Sequence, residues 1–131
     1  MVEQTSWAPY ARSLLRIISG FTFSLHGFQK VLGFFGGMGG SGAKAAFPTL
    51  IWFAGALELA GLLVCFGLLT RPVAFMLSGE MAVAYFMVHF VRGFWPIQNS
   101  GELAVLYCFI FLYLAAAGPG PISLDRLLRR K

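Results

Sequence analysis

Three glutamates, two histidines and a lysine lie inside or at the edges of the apolar runs of this 131-residue chain: Glu58, Glu80, Glu102, His26, His89 and Lys30. An ionisable group submerged in hydrocarbon costs at least about 2.5 kcal/mol on insertion scales. Such groups therefore turn toward protein or water, and they mark proton paths, ion sites or polar ligands. Carboxylates and imidazoles exchange protons, and an imidazole also hydrogen-bonds a ligand carbonyl. A helix-borne zinc or iron site needs ligands at i, i+3 or i, i+4. No His/Glu pair here has that spacing, so no metal ligands are assigned. The plainer reading of the same residues is glue, since buried polar pairs hold membrane helices together at about 0.6 kcal/mol each.

The elements that must position these groups are apolar helices. At 58% hydrophobic, 16% aromatic and 11% charged residues, the chain is too apolar for a soluble domain of its length. Residues 47–71, FPTLIWFAGALELAGLLVCFGLLTR, are apolar or small from 48 to 70 apart from Glu58, long enough for a hydrocarbon core of about 30 Å. Spans at 14–35, 48–70, 73–91 and 102–118 predict one all-α domain, an integral membrane four-helix bundle. The first span carries Ser19, Thr22, His26, Gln29, Lys30 and Gly33 on one broad face that must turn from lipid.

Between the spans, GGMGGSGAKAA at 36–46 reads as a flexible extramembrane loop, without the ending of a phosphate-binding loop. Pro48 opens the second helix, and Thr70, Arg71 and Pro72 form the tight turn into the third. On the third, Glu80 and His89 fall on opposite sides, and Tyr85 is the local hydrogen-bond candidate for His89. Residues 92–101 form an interfacial turn in which Asn99, Ser100 and Gly101 cap the fourth helix, and 122–131 are a basic amphipathic tail. The start of the chain lacks the pattern of a cleaved signal peptide.

Arg12, Arg16, Arg71, Arg126, Arg129, Arg130 and Lys131 fall on the terminal side, against Lys30, Lys44 and Arg92 on the other, so both termini are expected to be cytoplasmic. The net charge of +5 follows from this orientation. No basic-aromatic ladder points to nucleic acid. Counting about 1.5 Å per residue pairs His26 with Glu58 near the bilayer centre and gathers Lys30, His89 and Glu102 toward the outer face. Glu80 then lies nearest Arg16 and Arg71. Cys65 and Cys108 fall at different depths and are read as packing residues rather than a disulfide.

Five stretches in order, LHGFQKVLG from Leu25, ALELAGLLVCFGLLTR from Ala56, MAVAYFMVH from Met81, NSGELAVLY from Asn99 and GPGPISLDRLL from Gly118, together resemble the DoxX family of small bacterial membrane proteins. The resemblance runs from Arg16 to Leu128. It carries the family's elements onto His26, Gly27, Lys30, Glu58, His89, Asn99, Gly101, Glu102, Gly118, Gly120, Ser123 and Asp125, with Ser100 where the family often has glycine. It implies a multi-pass protein of the bacterial inner membrane, related to subunits of quinol oxidase and thiosulfate:quinone oxidoreductase systems. A quinone held by His26 or His89, with protons moved by Glu58 or Glu102 and support from Tyr85, Asn99, Gln29 and Glu80, would suit that relationship. Electrons would come from a redox partner subunit. A small proton or solute transporter, built as a homo-oligomer, and a purely structural or assembly bundle are the alternatives.

Overall fold

Glycine sets how closely the first helical segments meet. α1 (Ala8–Gly27) lies across α2 (Leu50–Leu59) and α3 (Gly61–Phe66). A Cβ on Gly20 would sit 2.5 Å from the Cys65 amide nitrogen, and one on Gly27 2.6 Å from the Gly55 carbonyl oxygen. Small residues at such crossings let helix backbones come into dispersion contact where apolar surroundings supply no hydrophobic drive.

The computed structural model describes residues 6–129; the expected contributions of Arg130 and Lys131 lie outside the described residues. Every regular element among the described residues is helical. α1 continues through a π-helical turn (Phe28–Leu32) and stops at Gly33. The glycine loop follows and leads into α2 and α3. α4 (Thr70–Ala84) continues through a second π turn (Tyr85–His89) and a 3-10 turn (Phe90–Arg92). α5 (Pro96–Asn99) is one turn long; α6 (Glu102–Ala117) and α7 (Leu124–Arg129) complete the chain.

The core lies where α4 packs along α6. Val73, Ala74, Leu77 and Met81 meet Ala104, Phe111 and Leu114, and Phe23 closes this layer from α1. Its ring meets Phe111 edge-on at 4.9 Å and Tyr107 at 5.1 Å between centroids. The outside is apolar too: Phe75, Val83, Leu103, Leu106 and Phe109 are all exposed on α4 and α6. Water penalises such a surface and lipid does not. Thr70–Arg92, 23 residues, is the one helix among those described that is long and apolar enough to cross a membrane, while Leu50–Phe66 and Glu102–Ala117 are shorter apolar helices.

Several expected boundaries move. The first helix starts at Ala8, not Leu14. The second begins after Pro48, because Thr49 is its cap, accepting the Trp52 amide at 3.3 Å. It breaks at Ala60, where tightened bonds join Ala60 N–H to Leu57 O and Leu63 N–H to Ala60 O. The tight turn is made by Gly67, Leu68 and Leu69, and Thr70, Arg71 and Pro72 form the first turn of α4. Gly67 adopts φ +72°, and a Cβ there would meet Ser123 and Arg16, so only glycine serves. The glycine loop folds back on itself through Met38 N–H to Ala43 O at 2.8 Å and Gly42 N–H to Gly36 O at 2.6 Å.

Candidate functional site

α2 and α4 touch at only a few points, and the space between them is a cleft of about 800 Å³, in the range of small-molecule sites. Its walls are aliphatic and thioether side chains, including Leu57, Met76, Met81, Val83 and Met87, with Met38 reaching in from the glycine loop. Three ionisable groups interrupt this lining: Lys30, Glu58 and Glu80.

Local backbone structure brings them together. Lys30 sits in the π turn that prolongs α1, a wider turn that shifts the register of side chains along the helix. Gly55 lies beneath it: a Cβ at 55 would come 2.9 Å from Lys30 Cβ. The missing side chain opens the path along which Lys30 Nζ reaches Glu58 Oε1, 2.6 Å away. The Glu58 side chain is 4% exposed and that of Lys30 28%. This is a short charge-assisted bond in apolar surroundings, where Coulomb attraction is weakly screened. The loop is tied to the same residue, since Ala45 N–H donates to the Lys30 carbonyl oxygen at 2.7 Å.

The remaining acceptors are unsatisfied. Glu58 Oε2 and both carboxylate oxygens of Glu80 are shielded, with no hydrogen-bond partner among the described residues. Such groups are costly in a low-dielectric wall, and a ligand that brings a donor relieves that cost. The arrangement suits a molecule with an apolar body and a small polar group that accepts from Lys30 and donates to a carboxylate.

The other predicted residues fall elsewhere. His26 is exposed; the partner of Glu58 is Lys30, one turn further on, because the neighbouring Gly27 is the part of that turn that lies against α2. Gln29 is half-buried and makes no side-chain hydrogen bond among the described residues. The outer cluster of Lys30, His89 and Glu102 is not assembled. His89 Nδ1 lies 3.1 Å from the Asn99 backbone oxygen, and Glu102 is exposed at the start of α6, where the helix dipole favours a negative charge. Tyr85 serves the Arg92–Gly101 turn instead of bonding to His89. Its hydroxyl donates to the Phe94 carbonyl oxygen and accepts from Asn99 Nδ2 at 3.2 Å. Asn99 caps no helix; its Oδ1 accepts Gly101 N–H at 2.8 Å. No group of three His, Cys, Asp or Glu side chains suited to a metal occurs among the described residues, and both cysteines are free.

Glu80 finds neither of its expected cations. Arg16 is wholly buried, 1% exposed, and its guanidinium donates to the backbone oxygens of Pro119, Val64, Cys65 and Ile122. Arg71 donates to Ala116 O at 2.8 Å. A residue that the pattern reading left in the tail completes this second polar region. Asp125 Oδ1 and Oδ2 accept Leu69 N–H at 2.8 Å and Thr70 N–H at 2.9 Å, capping α4 from the far end of the chain. Partial burial pushes the Asp125 carboxyl up, but the Thr70 and Leu69 bonds and the charge of Arg129 together bring it below its ordinary value. The available signals were an arginine inside an apolar helix and an aspartate just past a Gly-Pro-Gly-Pro exit.

Comparison with known proteins bears on both regions. A family model described as DoxX matches residues 11–90, which contain Lys30, Glu58 and Glu80. A Haemophilus influenzae protein, itself uncharacterized, is 43% identical over 130 residues, covering 95% of this chain and 96% of that one. The Escherichia coli inner membrane protein YqjF is 32% identical over 124 residues, 88% of this chain and 90% of its own length. A Bacillus subtilis protein named "Putative oxidoreductase CatD" is 30% identical over 113 residues, 86% of this chain and 82% of its own. No solved structure matches.

Proposed function

The chain belongs to the DoxX family of membrane proteins, and from that premise we propose that it is a multi-pass subunit of a bacterial inner-membrane redox system whose α2–α4 cleft holds the head of a quinone-type molecule. In this reading α1, α2 with α3, α4 and α6 are four crossings with both termini cytoplasmic. The two shorter apolar helices are accommodated by local thinning of the bilayer.

One observation carries the reading: a cleft of about 800 Å³ walled by Leu, Val and Met, interrupted by Lys30, Glu58 and Glu80. A quinone supplies two-electron redox chemistry between two carbonyl oxygens and an apolar ring system. In the cleft Lys30 donates to a carbonyl oxygen, Glu58 fixes the direction of that donor, and Glu80 exchanges a proton at the ring oxygen. Electrons are left to a partner enzyme, in keeping with the oxidoreductase in the name of CatD. His26 and His89, exposed or turned to Asn99, have no part in this version of the site. The transporter alternative expects a water path from Glu58 to Glu102, and Glu102 does not line the cleft.

The test is titration of the protein in lipid nanodiscs with short-chain ubiquinone and menaquinone analogues. Saturable binding is expected, at least tenfold weaker in Lys30→Met. Gly79→Leu should abolish it: Gly79 lines the cleft and a Cβ there meets nothing within 4 Å, so the larger residue fills the cleft without disturbing the helix. Absence of saturable binding, or binding indifferent to both substitutions, overturns the proposal.

A further inference from the structure

At the end of the molecule where the chain enters α1 and leaves α6, a hollow of about 240 Å³ is lined by Pro9, Arg12, Pro119, Gly120, Pro121, Asp125, Arg126 and Arg129, together with Ala117. Arg16 and Arg71 share this end but are committed to backbone carbonyls. The arginines of the hollow keep guanidinium nitrogens that meet no acceptor among the described residues. Arg12 is anchored by one guanidinium nitrogen, which donates to Ala117 O at 2.9 Å, while its Nε–H is shielded and meets no acceptor among the described residues. Arg126 and Arg129 are exposed on α7, and the one ion pair among the described residues lies elsewhere, between Lys30 and Glu58. Asp125, the one carboxylate among the described residues that line the hollow, already accepts Leu69 and Thr70 N–H with its two oxygens. Three arginines thus line one concave site. Guanidinium forks match the oxygens of a phosphate group in geometry and charge.

The surroundings fix the source of that phosphate. Trp7, just before α1, and Tyr10 on its first turn stand exposed, and Leu14, Leu127 and Leu128 are exposed near the residues of the hollow in sequence. Amphipathic aromatics above aliphatic side chains are the profile of a membrane interface, and basic pockets at that level capture lipid head groups. The geometry points to a binding site for the phosphate of an anionic phospholipid, held by Arg12, Arg126 and Arg129 with its acyl chains along α1 and α7.

The experiment is native mass spectrometry of the protein extracted from vesicles of equal parts phosphatidylglycerol and phosphatidylethanolamine, with inorganic phosphate added in a parallel series. Selective retention of phosphatidylglycerol is expected. Arg126→Gln/Arg129→Gln, altering two exposed residues that leave Arg12 and the fold in place, lowers retention about 25-fold, at about fivefold for each arginine. Arg12→Gln removes the anchored donor as well. Arg92→Gln, outside the hollow, retains lipid like the parent. Equal retention of both lipids, or retention unchanged in the double variant, overturns the site. Binding of inorganic phosphate without lipid retention overturns the lipid assignment and gives the hollow to a soluble anion.

Discussion

Two regions bury charge, and they satisfy it in opposite ways. At the chain ends Arg16 is wholly enclosed, yet backbone oxygens of α3 and of the stretch between α6 and α7 receive its donors, and Asp125 gives both oxygens to the Gly67–Thr70 turn. In the cleft, Lys30 and Glu58 share one bond while three shielded carboxylate oxygens have no hydrogen-bond partner among the described residues. A closed polar network specifies a fold, and an open one leaves free energy that a ligand can gain. The first region is therefore the lock that holds α1, α3, α6 and the tail together, and the second is the proposed binding site.

The lock breaks most completely at Arg16. Arg16→Met keeps the apolar stem but strands the carbonyls of Cys65, Pro119 and Ile122, while Val64 O keeps the Gly67 N–H at 3.0 Å. Each buried acceptor left without a donor costs about 1 to 3 kcal/mol, so a loss of at least ~3 kcal/mol is expected in thermal unfolding in detergent. Arg16→Lys should recover only a part, since an ammonium lacks the fork that reaches several acceptors at once. A variant within ~1 kcal/mol of the parent would remove the distinction between the two regions.

Next in size is the cleft's own ion pair. Lys30→Met leaves Glu58 buried and uncompensated at a position 4% exposed, a loss of about 3 kcal/mol. Lys30→Met/Glu58→Gln should regain most of it, because a neutral pair of similar shape has no stranded charge. The double-mutant cycle measured by denaturation reads the coupling directly. A double variant as unstable as the single one would mean that Lys30 supports the fold through packing on Gly55 rather than through its charge.

How far these regions could be read in the sequence differs for a physical reason. Helix content, the apolar runs and the place of Glu58 and Lys30 within them follow from composition and periodicity, which are local. The partner of Glu58 does not: depth counting chose His26, but π turns at 28–32 and 85–89 and the break at Ala60 rotate and shift side chains that a regular helix would align. Glu80 was placed beside Arg16 and Arg71 by depth alone, whereas contact depends on which way each helix face turns. Asp125 and Arg16 could not be joined by pattern reading at all, because their common region is built by chain segments more than a hundred residues apart folding back on one turn. Ser100, at φ +61°, shows the reverse. Its left-handed backbone is a local requirement of the turn before α6, and the Asn-Ser-Gly run is a local turn signal.

A smaller test of the lock uses pH. The Asp125 carboxyl titrates below its ordinary value in the folded protein, so its contribution is complete at neutral pH, where both states are ionised. It fades as pH falls below about 4 through the lowered folded value. Asp125→Asn removes one of two acceptors and the charge at the N-terminus of α4, at a loss of about 1 kcal/mol, allowing for the screening of a half-exposed group. The variant should lose stability at pH 7 and lack the parent's decline below about pH 4, read by thermal unfolding as the pH is lowered.

The smallest expected effect on stability is the one that separates the regions best. Both carboxylate oxygens of Glu80 are shielded, but neither has a hydrogen-bond partner to lose among the described residues. Glu80→Gln keeps its length and shape and removes the ability to exchange a proton, so stability should change by no more than ~0.5 kcal/mol, in either direction. The binding of a quinone analogue in nanodiscs should nonetheless lose its dependence on pH. A buried carboxylate that can be neutralised without harm to the fold, yet with a change in how a ligand binds, is kept for the ligand. If Glu80→Gln instead unfolds the protein as Arg16→Met does, the cleft is a second lock and the proposed binding site loses its proton donor.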